Sequence, residues 1–138
     1  MSLILTKNEV HKIEEVIEVE LLQGGADHVI MIDMSGNLLL ERGSLRVDDI
    51  MSLAVLSAAN FAATAQIAKL IGEEDFSLLF HKGDKRNIHF SRLGKGHLMI
   101  TLFNDNISLG LIRLKSNNVA QKLMPLLDGL EGKERWRS

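Results

Sequence analysis

His81, His89 and His97 fall on neighbouring strand-like runs, a placement from which imidazole nitrogens can gather a metal ion. The turn expected at Gly83-Asp84 works against convergence, because it sets His81 opposite about Arg86 and His89 opposite about Leu78. They are read as exposed or edge histidines, and no metal is expected. The "GKG" at 94–96 offers glycine amides and a lysine. It lacks the spacing and following Ser or Thr of a phosphate loop and lies between two strands, so no nucleotide is expected to bind. Ser57 and Thr64 have no base arranged beside them, and Asp33 before "MSG" reads as a turn residue rather than a catalytic acid. Lys82, Lys85, Arg86, Arg92 and Lys95 cluster around Asp84; scattered charges at hairpin tips form a solvated rim more often than a phosphate site. These residues predict no enzyme and no cofactor.

The totals narrow the class further. A chain of 138 residues, 46% hydrophobic and 25% charged, suits one globular domain over 1–138, with a core at about 7–127 and a polar tail at 128–138. A formal charge of -2 argues against nucleic acid, whose binding rests on a basic excess. With no cysteine there is no disulfide framework, which fits a reducing compartment. Neither a signal peptide nor a bilayer-length span is read, so the expectation is a soluble, cytoplasmic protein without direct membrane insertion.

Thr6 and Glu9 have capping-box spacing, and Val10, Ile13, Val16, Ile17 and Leu21 recur on one helical face, predicting a helix to about Gln23, stopped by Gly24-Gly25. "HVIMID" and residues 38–42 read as a hairpin through "MSGN". Asp48 and Asp49 offer an N-cap to a long helix that Gly72 ends. "FSLLFHKG", "RNIHFSRL" and "HLMITLF" read as three antiparallel strands. Ser108 then offers a cap to a last helix. Two features unsettle that helix: "LGLIRL" has an alternative reading as a strand, and Pro125 should kink or end it. "HVIMID" and "HLMITLF" are apolar at both alternating positions, so the sheet needs cover on both faces.

The long helix, "SLAVLSAANFAATAQIAKLIG" at 52–72, carries almost no charge. On a helical wheel it separates into three stripes. Leu53, Leu56, Asn60, Ala63, Ile67 and Leu70 follow the seam spacing by which one helix meets another, with an amide at its middle able to fix register. Ile50, Ala54, Ala58, Phe61, Ala65 and Ala68 form a small-residue stripe suited to lying on a sheet. Ser52, Gln66 and Lys69, interleaved with Val55, Ala59 and Ala62, make the third. One sheet covers one stripe, and no other segment is assigned to the rest. A homodimer is predicted, the alternative being a monomer with the helix central.

The element order, with "SLAVLSAANFAATAQIAKLIGEEDFSLLFHKGDKRNIHF" and "HLMITLFNDNISLGLIRLK", resembles the Roadblock / dynein light chain family, in particular its bacterial gliding-motility, MglB-type branch, over about 7–127. The resemblance implies an α+β sandwich of profilin- and longin-like topology: a five-stranded antiparallel sheet with one long helix on one face and two helices on the other. It also implies a two-fold dimer and a non-enzymatic regulator or platform for a Ras-like small GTPase docked over the paired long helices. Such members are described as accelerating GTP hydrolysis without an inserted arginine, by positioning the GTPase's own groups. Carried over, GTPase binding falls on Val55, Ala59, Ala62, Gln66 and Lys69. Dimer contacts fall on Leu53, Leu56, Asn60, Ala63 and Ile67, with sheet pairing at 76–81 involving Phe76, Leu78 and Phe80. The tail around Trp136 matches no family motif. Two other classes compete: a PAS- or GAF-like sensor, which needs an apolar cavity beside the sheet, and a metal-dependent enzyme, which needs the three histidines together.

Overall fold

The computed structural model describes residues 2–3, 5–74, 79–132 and 136–137, with side chains over 5–74 and 79–127. Helix α1, Lys7–Ile17, opens with the expected capping box: Glu9 N–H donates to Thr6 Oγ1 (3.1 Å) and Thr6 N–H to Glu9 Oε1 (2.8 Å). It continues into a π-helical turn, Glu18–Leu22, and Gly25 at φ 115° breaks away. Strands β1 (His28–Asp33) and β2 (Leu38–Gly43) form the first hairpin, and helix α2 spans Ile50–Leu70. Strands β3 (Leu79–His81), β4 (Asn87–Leu93) and β5 (His97–Phe103) follow, then helix α3, Leu109–Gly132. Ser2–Leu3 pairs with Trp136–Arg137 as a separate short ribbon.

The five strands form one antiparallel sheet in the order β2-β1-β5-β4-β3. Both faces are covered. Val29, Met31, Met99 and Phe103 face α1 and α3, meeting Ile13, Ile17, Leu21, Ile112, Val119 and Leu123. Ile30, Ile32, Phe90, Leu98 and Ile100 face α2, meeting Ala54 and Ala58. The α+β architecture with one helix on one face and two on the other is therefore the observed one, built on strands that alternate between two cores.

One alternative is decided and several expectations are corrected. Residues 109–114 are helical, not a strand, because Ile112, Ser116, Val119 and Leu123 recur at helical spacing and are fully buried. Pro125 does not end α3: it sits on the exposed side, so the Gln121 carbonyl it leaves without a donor can face water. Helix α2, with 21 residues and a window of mean hydropathy 1.5, is long and apolar enough by length and composition to cross a bilayer, contrary to the reading that none is. The hairpin register also shifts by two residues, since the loop between β3 and β4 spans 82–86 and sets His81 opposite Ile88 and Phe80 opposite His89.

His89 and His97 are not exposed or edge residues, as expected, but buried; only His81 is exposed, on the edge strand. His89 lies on the α3 side, between Phe80 and Thr101 in the ladder. Burial, reinforced by the Arg113 charge on α3, pushes its pKa down to about 4. The folded chain therefore binds this proton less readily than the unfolded chain, whose histidine keeps the ordinary value of about 6.5. Stability is full above about pH 6.5 and falls as pH drops toward 4, by roughly 3 kcal/mol from this group. Urea melts at about pH 7 and about pH 4.5 should show a large drop for the native chain and a smaller one for His89→Leu. Equal drops would show that another group carries the acid sensitivity.

Candidate functional site

Helix α2 is held at both ends by local bonds. Asp49 caps it, accepting from Ser52 N–H (3.0 Å) and Ser52 Oγ–H (2.7 Å), and these bonds hold its carboxyl below the usual carboxylate range. At the other end Gly72 at φ 84° allows Glu73 N–H to reach Ala68 O (2.8 Å) and Gly72 N–H to reach Lys69 O (3.2 Å), which stops the helix. Between them, four residues of the helix are buried: Ala54, Ser57, Ala58 and Ala68. The small-residue stripe does lie on the sheet, where short side chains allow close approach.

The other two stripes face outward. On the seam, Leu53 and Asn60 are half-buried, Ala63 is exposed, and Leu56, Ile67 and Leu70 are 66%, 53% and 85% exposed. On the third stripe Val55 is 55% exposed, and Ala59, Ala62, Gln66 and Lys69 are all exposed. With Met51 and Ile71, the exposed apolar side chains of these stripes run the length of the helix, about six turns, interrupted by Gln66 and Lys69. The described residues do not enclose the helix. Burial of each such leucine or isoleucine yields roughly 1.5 to 3 kcal/mol, so a surface of this kind invites a partner.

Two contacts fix the surroundings of that surface. The Asn60 amide donates to His81 Nε2 across 3.0 Å, and the His81 ring stands edge-on to Phe90 at 5.6 Å, so the seam amide is tied to the edge strand β3. The β1–β2 turn presses on the opposite end: a Cβ on Gly36 (φ 91°) would lie 2.8 Å from Val55 Cα. Asp33 builds this turn, accepting from the Ser35 and Asn37 amides at 2.9 Å each, as its reading as a turn residue requires. Neither contact was read from the sequence, because each depends on tertiary packing. Of the other assigned residues, Phe80 is half-buried and stacks on Phe103 at 6.2 Å, so only its backbone is placed to pair across the edge; Phe76 and Leu78 lie outside the described residues.

The polar cluster at the β3–β4 loop is internally satisfied. Lys82 Nζ donates to Asp105 Oδ1 (2.8 Å), as does Asn87 Nδ2 (2.9 Å), and these bonds lower the Asp105 pKa. Lys82 thus ties a loop together rather than standing free for phosphate. Among the described residues no three His, Asp or Glu side chains are grouped to hold a metal ion.

A model of the Roadblock/LC7 domain matches residues 12–103, which include the whole of α2 and all five strands of the sheet. The chain belongs to the Roadblock/LC7 family. Among solved structures, Myxococcus xanthus MglB is 32% identical, covering 86% of this chain and 96% of that one with a TM-score of 0.79. The gliding protein MglB from Thermus thermophilus is 27% identical, covering 93% and 97%, with a TM-score of 0.83. An MglB described as having a tetrameric arrangement is 28% identical, covering 94% and 97%, with a TM-score of 0.84. The likeness to MglB structures spans nearly the whole domain, and the family is generally one of regulators rather than enzymes.

Within this Roadblock/LC7 domain, Gly36→Ala should lower stability by about 2 kcal/mol, since it adds left-handed backbone strain to a close approach against Val55. Urea denaturation measures it. A loss within about 0.5 kcal/mol, the range of an ordinary surface substitution, would show that the turn does not bear on α2.

Proposed function

We propose that this protein is a non-enzymatic, homodimeric regulator that docks a Ras-like small GTPase over paired α2 helices and modulates its hydrolysis and location in cell polarity or motility. One observation carries the reading: two of the three stripes of α2 face outward and carry exposed apolar side chains, Val55, Leu56, Ile67 and Leu70 among them, on a helix whose ends are capped within the chain. The seam stripe supplies the self-association surface, with Asn60 as its single amide and β3 beside it at the sheet edge. The stripe of Val55, Ala59, Ala62, Gln66 and Lys69 remains for the GTPase. Its small residues leave a flat face on which another protein can sit closely, with Gln66 and Lys69 as polar rim.

The likeness to MglB over most of both chains supports the choice of partner. Acceleration would come from holding the GTPase's own groups in place, since the proposed surface offers no arginine. A cytoplasmic setting and the absence of nucleic-acid and membrane partners belong to the same proposal. Packing of Ala54 and Ala58 directly on Ile30, Ile32 and Phe90 supports a filled layer under α2 in preference to a sensor cavity there.

The test is gel filtration of the protein with a Ras-like GTPase encoded beside it, loaded with GTP or GDP. Co-elution with the GTP form is expected, and Ala62→Arg should weaken it by at least about tenfold while leaving the oligomer unchanged. Co-elution that survives Ala62→Arg would remove this stripe as the docking site.

A further inference from the structure

Strand β2 is an edge of the sheet, and it lies in a groove. Three cavities, of about 540, 410 and 370 Å3, are each lined in part by β2 residues. The bonds at the two ends of the hairpin set which backbone groups face outward. Ser44 N–H reaches Asp27 O (2.9 Å) and Asp33 N–H reaches Asn37 O (3.0 Å), so the odd residues of β1 bond to β2. Their partners Arg42 and Leu40 face inward, and the amides and carbonyls of Glu41 and Gly43 face away from the sheet. An edge of six residues with three leucines and no proline is what an added strand pairs with.

The two ends of the groove differ in chemistry. Around Leu38 and Leu39 the 410 Å3 cavity is walled by Leu5, Val10 and Met51, a seat for an apolar side chain. The 540 Å3 cavity at the other end carries Glu18, Asp27 and Glu41 against a single cation, Arg42, which leans on Glu14 at 3.4 Å. Into it faces His28, only 3% exposed, with neither ring nitrogen hydrogen-bonded; its Nε2 stands 3.6 Å from Glu41 Oε2. A buried imidazole with no hydrogen bond, in a cavity with a surplus of carboxylate, is matched by a donor that brings positive charge. With no trio of metal-ligating side chains among the described residues, the fitting donor is an ammonium or guanidinium group.

We propose that the open edge of β2 binds an extended segment of a partner protein by antiparallel strand addition. A Lys or Arg of that segment enters the His28–Glu41 cavity, and an apolar residue four positions later enters the Leu38–Leu39 cavity. Four residues of strand span about 13 Å, which reaches from Gly43 to the bulge at Leu39, where Met31 faces Leu40 and Ile32 faces Leu38. This site shares only Met51 with the outward surface of α2 and uses none of Val55, Ala59, Ala62, Gln66 or Lys69, so peptide binding here is tested apart from GTPase docking.

The probe is a fluorescein-labelled hexapeptide, Lys-Thr-Val-Thr-Leu-Thr, against the full chain, read by anisotropy and by amide shifts in 15N-labelled protein. Expected are saturable binding, shifts centred on Glu41 and Gly43, and at least about tenfold weaker binding for the peptide with Glu in place of Lys. Glu41→Lys should weaken the Lys peptide and strengthen the Glu peptide. Glu41→Pro, which removes an outward N–H without touching the β1 ladder, should weaken both. No binding at millimolar peptide, equal binding of the two peptides, or shifts confined to α2 would overturn the proposal. So would pairing of β2 with a second copy, seen as an assembly that Glu41→Pro dissolves and the peptide does not compete with.

Discussion

A helix that is apolar over most of its circumference cannot be hidden by a single sheet, and that constraint shapes this molecule. Sheet contact covers an arc of small side chains on α2, with Ala54, Ala58 and Ala68 buried. The remaining arc includes Leu56, Ile67 and Leu70, which stay in contact with water in the isolated chain. A monomer leaving these side chains exposed forgoes roughly 1 kcal/mol or more at each, which the proposed two-fold arrangement would recover in both copies. Association of proteins costs on the order of 4 to 15 kcal/mol, so a handful of side chains must act together, as a seam running along the helix allows.

The rest of the fold serves to present that helix. The two cores divide along the strand alternation, residues 29 and 31 toward α1 and α3, residues 30 and 32 toward α2. One face is closed by two helices bearing large buried side chains. The other carries α2 on alanines, which brings its backbone close and leaves its outer faces standing clear. Caps at Asp49 and Gly72 satisfy the helix ends locally, so the presentation does not depend on the partner.

Much of this is legible in the residues themselves. "HVIMID" and "HLMITLF" become strands with the bounds the text suggests, and Thr6, Asp49 and Ser108 cap the helices assigned to them. The errors have physical causes. Local propensity at Gly110 and Pro125 speaks against a continuous α3, yet the buried row from Ile112 to Leu127 overrides it. The histidines look alike in the sequence, but His89 and His97 lie on inner strands of a sheet covered on both faces, whereas His81 lies on the edge strand. At the candidate site, the stripes follow from spacing alone. The Asn60–His81 bond, the press of Gly36 on Val55 and the His28 ring with no hydrogen bond arise from elements far apart in the chain, so no local pattern announces them.

Sedimentation velocity over micromolar concentrations, comparing the native chain with a Leu56→Arg, Ile67→Arg double variant, addresses the central claim most directly. The account predicts a species of twice the 15.4 kDa chain mass for the native protein and a folded single chain for the variant. A native protein that sediments as one chain throughout, with α2 amides as protected as those of the sheet, would contradict it.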